Sequence, residues 1–244
     1  MALRNPWIRQ TMSSSTFSGR WIYPHSLINL LGLFVFTYSS LYPYWLGLVG
    51  MSLTLLILDI NKSIKVRDFQ PFRFGYPNLI TTGRLIGILG LCYTFHALSD
   101  LALFIAFTVL ILLDGVDGLV ARKLNQCSPE GEKLDTEVDA QLVWLLSWIH
   151  FYSGNVDWWI LIPGSLRYTY QLLFFWVPSV SSFPPKRFRA TIAVIFFFSL
   201  SLAFILEESI AKQLLFVASV LIVLSFGLSL IGGLKQHYDR KSAA

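Results

Sequence analysis

Four aspartates in a 26-residue stretch are the residues of this chain best suited to chemistry. Asp114 and Asp117 are three apart, and Asp135 and Asp139 are four apart. On a helix both spacings put the pair on one face. Two such faces brought together make an all-oxygen cage, the donor set that suits Mg²⁺ or Mn²⁺. Four carboxylates in so apolar a chain are costly unless a metal or a positive group neutralises them. That cost favours a site over a solvated acidic loop between two helices. Asp114 and Asp117 end an apolar run, Phe104 to Leu113, and Asp135 and Asp139 begin the next. Residues 123–134 between them read as a polar turn in which Pro129 and Gly131 break any continuous helix.

The elements that must position these carboxylates are membrane helices. More than half of the 244 residues are apolar. The charges fall in short clusters between apolar runs at about 25–39, 41–60, 78–97, 100–122, 136–153, 156–177, 189–206 and 210–234. Each run is close to the length that crosses a bilayer, about 20 residues. The pattern predicts an all-α polytopic membrane protein of about eight transmembrane helices, with no room left for a soluble core. Residues 1–20 form a polar, basic tail without the features of a cleavable signal peptide. Lys and Arg concentrate in that tail, in loop 61–77, at Arg122 and Lys123, in the 185–189 cluster and at the C-terminus, while the alternate connections are nearly free of them. The positive-inside rule then puts both termini and the aspartates on the cytoplasmic side. The net charge of +5 reflects this anchoring and attraction to anionic lipid, not nucleic-acid binding. Cys92 and Cys127 have no metal-ligand spacing; Cys92 reads as packing and Cys127 as a bystander. The four histidines are scattered.

At every fixed position the stretch resembles the CDP-alcohol phosphotransferase signature D-x-x-D-G-x-x-A-R-x8-G-x-x-x-D-x-x-x-D, through Asp114, Asp117, Gly118, Ala121, Arg122, Gly131, Asp135 and Asp139. Upstream, Pro77-Asn78-Leu79-Ile80-Thr81-Thr82-Gly83-Arg84 is similar to the P-N-x-x-T-x-x-R opening of bacterial members. The resemblance covers residues 77 to about 234. It implies a six-helix core over 77–235, preceded by an extra transmembrane hairpin and basic loop at 21–76 and followed by a tail at 236–244. It implies Mg²⁺ or Mn²⁺ held by Asp114, Asp117 and Asp135, with Asp139 as the general base and a contact to a second metal. It further implies that Asn78, Thr81, Gly118, Ala121, Arg122 and Gly131 bind the nucleotide. The donor would be a CDP-alcohol, foremost CDP-diacylglycerol, and the acceptor a small alcohol, with CMP released. Lys186, Arg187 and Arg189 are candidates for binding a phosphorylated acceptor such as glycerol 3-phosphate. Arg167, an arginine in the middle of an apolar run, joins them because leaving it in lipid is expensive. A weaker resemblance, to a bacterial subgroup with unassigned acceptors, implies the bacterial inner membrane; relatives also imply a homodimer.

Plainer readings compete at several positions. Gly118 and Ala121 also suit small-residue helix packing. Asn78 and Thr81 also suit a helix start with an early proline. Arg122 and the 186–189 cluster also suit membrane anchoring, and Arg167 a structural salt bridge. Glu130, Glu132 and Glu137 read as solvated. Two other functional classes remain. An aspartate-rich membrane prenyltransferase would carry a second acidic set, and none follows Asp139. A transporter with a carboxylate site would hold its acids near the bilayer midplane, whereas these sit at helix ends.

Overall fold

The computed structural model describes residues 22–35, 44–45, 47–55, 75–127, 129–176 and 187–242. Among them there are eight α-helices and no strand, and each predicted apolar run holds one helix. These are α1 (Ile22–Val35), α2 (residues 44–55, with 46 outside the description), α3 (Tyr76–Thr94), α4 (Asp100–Lys123), α5 (Pro129–Tyr152), α6 (Leu161–Trp176), α7 (Arg187–Leu202) and α8 (Glu208–Ser242). Short 3₁₀ turns at Phe95–Ala97 and Trp158–Ile160 follow α3 and precede α6.

Two boundaries depart from the sequence reading. Helix α5 begins at Pro129, inside the predicted turn. Proline is tolerated at the first helical position, where its missing N–H has no partner to lose, and Gly131 sits in the same first turn. Helix α8 runs on to Ser242, through the segment read as a tail. By length and composition, Tyr76–Ala97, Asp100–Lys123 and Glu208–Leu228 can cross a membrane among the described residues. The outward faces support this. Leu101, Ile105, Val109, Leu112, Val116 and Leu119 form an exposed apolar stripe along α4, and α8 exposes Phe216, Val217, Val220, Leu224 and Leu228. Water would not tolerate apolar faces of this extent; lipid does.

Helix α5 is the centre of the bundle and packs on α3, α6 and α7. Leu142, Leu145, Leu146, Trp148 and Ile149 are fully buried, and so are the polar Gln141, Ser147 and His150, so the helix is enclosed on all sides below its first turns, as a central helix is. Between lipid-bathed helices apolar burial gives little drive, so packing and interhelical hydrogen bonds matter more. His150 Nε2 donates to the Leu200 carbonyl at 2.7 Å, joining α5 to α7. Thr108 and Ser201 hydroxyls meet at 2.8 Å between α4 and α7. Tyr170 donates to the Phe226 carbonyl at 2.6 Å between α6 and α8. Helices α1 and α2 join the same bundle: α1 packs on α6, and Trp45 of α2 stacks on Trp144 of α5 at 4.8 Å; the connection expected between them lies outside the described residues.

Helices α5 and α6 pack tightly at Gly164. A Cβ there would lie 2.8 Å from both Ser147 Cβ and Oγ. A Gly164→Val substitution is expected to destabilise the protein by about 1–3 kcal/mol through overpacking. Tryptophan-fluorescence melting in detergent measures this, against a melt no lower than wild type for Gly83→Ala, whose added Cβ would meet nothing within 4 Å in a helix interior that favours alanine.

Candidate functional site

Three helices bring the aspartates together, each through a single face. On α3 the buried positions Pro77, Thr81, Arg84, Leu85, Ile88 and Cys92 follow helical spacing and face α4 and α5. On α4, Leu110, Asp114, Asp117 and Ala121 share a face, and on α5 so do Gly131, Asp135 and Asp139. Where these faces meet stands Arg84, whose side chain has no exposed surface. Its Nη1 donates to Asp114 Oδ1 at 2.9 Å, Asp117 Oδ2 at 3.2 Å and Asp135 Oδ1 at 3.0 Å. Nη2 donates to Asp139 Oδ1 at 2.6 Å, and Nε donates to the Leu110 carbonyl at 3.1 Å.

One guanidinium against four carboxylates leaves an excess of negative charge. Asp114, Asp135 and Asp139 side chains remain 41%, 35% and 28% exposed. One oxygen from each lies within 4.8 Å of the others, so these three could hold a cation together. The set is hard, anionic and all oxygen, and it fits a small divalent ion. Asp117 differs. It is buried, and its Oδ2 accepts from Thr81 Oγ1 at 2.9 Å as well as from Arg84. It therefore stands beside the three-oxygen group rather than within it.

Next to the carboxylates is an open cavity of about 430 Å³. Every nucleotide candidate from the sequence lines it: Asn78, Thr81, Gly118, Ala121, Arg122 and Gly131, together with Asp117 and Asp135. The glycine at 118 is not demanded by helix packing. A Cβ there would find only the Arg122 guanidinium, at 3.5 Å and beyond, so the missing side chain leaves room in the cavity itself.

The connection between α4 and α5 shapes this cavity. Helix α4 ends with Asn125 in the left-handed conformation, φ 53°. The Gln126 N–H bonds the Ala121 carbonyl at 2.9 Å and the Asn125 N–H bonds the Arg122 carbonyl at 3.4 Å. That double closure is a Schellman turn, with asparagine where glycine is commoner. It swings Gln126 back across the start of α3, where its Oε1 accepts the Tyr76 N–H at 3.1 Å. This N–H is one of the unpartnered donors of a helix start.

Several expectations change. Glu137, read as solvated, is buried, because it lies two residues from each α5 aspartate and so points to the opposite side of the helix. Its Oε1 accepts from Arg167 Nη2 at 2.6 Å. Arg167 is thus engaged with a carboxylate within the bundle, the plainer of its two readings. Cys127, read as a bystander, lines the cavity, as do Gln126 and Glu132. Cys92 is buried packing, as read. Lys186 and the side chains of Glu130, Arg187 and Arg189 lie outside the described residues. The largest role that the sequence reading missed is that of Arg84. The cost argument applied to Arg167 applies to it equally, since both are arginines within apolar runs. Gln126 falls in the unspecified part of the signature, and no sequence signal marks it.

Removing Arg84 leaves four carboxylates facing one another. Arg84→Met is expected to lower stability in EDTA by about 3–5 kcal/mol, the usual cost of breaking a buried ion pair. Mn²⁺ should restore more stability to this variant than it adds to the wild type, because the cation replaces the lost positive charge. Paired melts in EDTA and Mn²⁺ check both statements.

The sequence model of the family described as CDP-alcohol phosphatidyltransferase matches residues 74–230, well over half of the chain. No curated protein and no solved structure matches it. The match begins just before α3 and ends within α8, so it takes in every helix that contributes to the aspartate cluster and the cavity. The chain belongs to the CDP-alcohol phosphatidyltransferase family and is an integral-membrane transferase of substituted phosphate groups.

Proposed function

We propose that this protein transfers a phosphatidyl group from CDP-diacylglycerol to the hydroxyl of a small alcohol and releases CMP. The observation that carries the reading is one of adjacency. The cavity lined by Asn78, Thr81, Gly118, Ala121 and Arg122 shares Asp117 and Asp135 with the carboxylate cluster. A nucleotide in the cavity would bring its pyrophosphate to the aspartates.

In this reading Asp114, Asp135 and Asp139 hold Mg²⁺ or Mn²⁺, with Asp117 beside them. A bound divalent ion supplies charge neutralisation for the pyrophosphate and for the charge that develops during transfer. Arg122, at the cavity wall, offers a planar fork to a phosphate. Asp139 takes the proton of the acceptor hydroxyl. The acceptor oxygen forms a bond to the phosphorus nearer the lipid, the bond from that phosphorus to the oxygen bridging it to CMP breaks, and CMP leaves with that oxygen. Arg84 keeps Asp139 aimed inward through the 2.6 Å contact. Such positioning is a large part of phosphoryl-transfer catalysis.

The basic cluster at Lys186, Arg187 and Arg189 supports a phosphorylated acceptor such as glycerol 3-phosphate. Arg167, paired with Glu137, supports that role less. The resemblance to bacterial members supports the bacterial inner membrane, and the charge pattern along the loops supports termini and active site facing the cytoplasm. Family membership leaves no support for the prenyltransferase or transporter alternatives.

The test is CMP release by the detergent-purified protein with CDP-diacylglycerol and Mn²⁺ or Mg²⁺. Glycerol 3-phosphate, inositol 1-phosphate, inositol and serine are supplied singly. Release that requires one acceptor and disappears in Asp135→Ala is the expected result; release in Asp135→Ala at the wild-type rate rejects the site. Asp139→Asn is expected to lower turnover by about 10²–10⁴-fold, the worth of a general base, while sparing most donor binding. Gly118→Leu, which fills the cavity, is expected to weaken donor binding at least tenfold while leaving the melting temperature within a few degrees of wild type.

A further inference from the structure

Helices α1 and α2 lie outside the residues that match the family, yet they reach the catalytic helix through buried polar groups. Glu137 sits between Asp135 and Asp139 in the chain and, about 200° round the helix from each, on its other side. Its carboxylate is buried, and its Oε1 accepts from both Arg167 Nη2 and Gln171 Nε2, each at 2.6 Å. A carboxylate accepts only, so the Gln171 amide must turn its nitrogen toward Glu137. Its carbonyl oxygen then faces away and needs a donor of its own. Ser26 of α1 places its hydroxyl against Gln171 Oε1 and shares it with the Ile22 carbonyl, 2.7 Å away. A second rung runs in parallel: Tyr168 donates to Gln141 Oε1 at 2.9 Å, and its ring meets His25 of α1 edge-on at 5.6 Å. His25 is in turn tied to α2 by Ser52, whose Oγ lies 2.8 Å from Nδ1.

We propose that the N-terminal hairpin is a positioning element for the active site, acting through the buried relay Ser26–Gln171–Glu137 on the helix that carries Asp135 and Asp139. The proposal rests on the reading of the aspartate cluster as a metal site. Apolar contacts alone would be enough to dock a hairpin on a membrane bundle. A buried carboxylate fixed by two donors does something that apolar contacts do not. It penalises rotation and sliding of α5, because either motion strips a charge of its partners. Arg84 holds the aspartate face of α5, and the relay holds the opposite face. Because the helix is rigid over a single turn, a shift at Glu137 is passed to its neighbours two residues away. Ser26, Gln171 and Glu137 are thus positioning residues: they touch no reacting atom.

Mn²⁺ affinity of the full-length protein in detergent, read by electron paramagnetic resonance of the free ion, tests this without turnover. The reference is wild type against Asp135→Asn, which should lose binding. Ser26→Ala and Gln171→Met are each expected to weaken Mn²⁺ binding by about three- to tenfold. The double variant should be no weaker than Gln171→Met, because both changes cut one relay. Ser52→Ala removes the His25 contact to α2 but leaves the relay intact, and it should bind Mn²⁺ as wild type does. Wild-type affinity in Gln171→Met overturns the proposal. So does an equal loss in Ser52→Ala, which would mean only that the hairpin had loosened. If Gln171→Met does not purify as a monodisperse protein, Ser26→Ala, a loss of one oxygen, decides the matter by the same criterion. A wild type without Asp135-dependent Mn²⁺ binding removes the metal reading itself, and the proposal with it.

Discussion

One guanidinium holds the acidic end of this bundle together. Arg84 contacts Asp114 and Asp117 of α4 and Asp135 and Asp139 of α5, and its own helix is α3. Without a positive charge at that point, the two acidic faces would repel each other in a setting where water screens little. With it, the aspartates are drawn into a space small enough for three of their oxygens to approach one another. The planar, five-donor shape of arginine matters here; the point charge of a lysine could not address Leu110 and four carboxylates at once. The packing of α3 against α4 and α5 therefore follows in part from the needs of the site.

The cavity beside the cluster follows from how α4 ends. A helix that continued straight past Lys123 would leave no enclosed space. The Schellman turn at Asn125 reverses the chain and sets Gln126 over the first N–H of α3, and α5 then starts at Pro129. Small residues at 118, 121 and 131 keep side chains out of the resulting gap. The same short segment thus closes one helix, caps a second and borders the pocket, between the two parts of the signature that carry the aspartates.

Helix α5 is held from two sides by unlike means. Below the site it is gripped by tryptophans and leucines packed around it, with His150 bonded across to α7. At the site, charge does the holding, through Arg84 on one face and through Arg167 and Gln171 on the other. Apolar packing fixes its depth in the bundle only loosely, because leucine against leucine resembles leucine against lipid. Buried charges fix it tightly, because any slip leaves one of them unpaired.

The sequence by itself determined what is local and periodic. The eight helices are written as apolar runs of bilayer length. The shared faces of Asp114 with Asp117 and of Asp135 with Asp139 follow from spacing alone, since a helix repeats every few residues whatever surrounds it. The residues from Asn78 to Gly131 that line the cavity were singled out by the two family motifs. Tertiary structure alone decided which charges meet. Arg84 stands 30 residues or more from every aspartate it bonds, and Gln126 stands 50 residues from Tyr76. Glu137 read as a solvated acid, but the bundle buries it on the far face of α5, where it meets Arg167 and Gln171. Partner choice between distant groups depends on helix rotation and packing, and that geometry exists only once the bundle has formed.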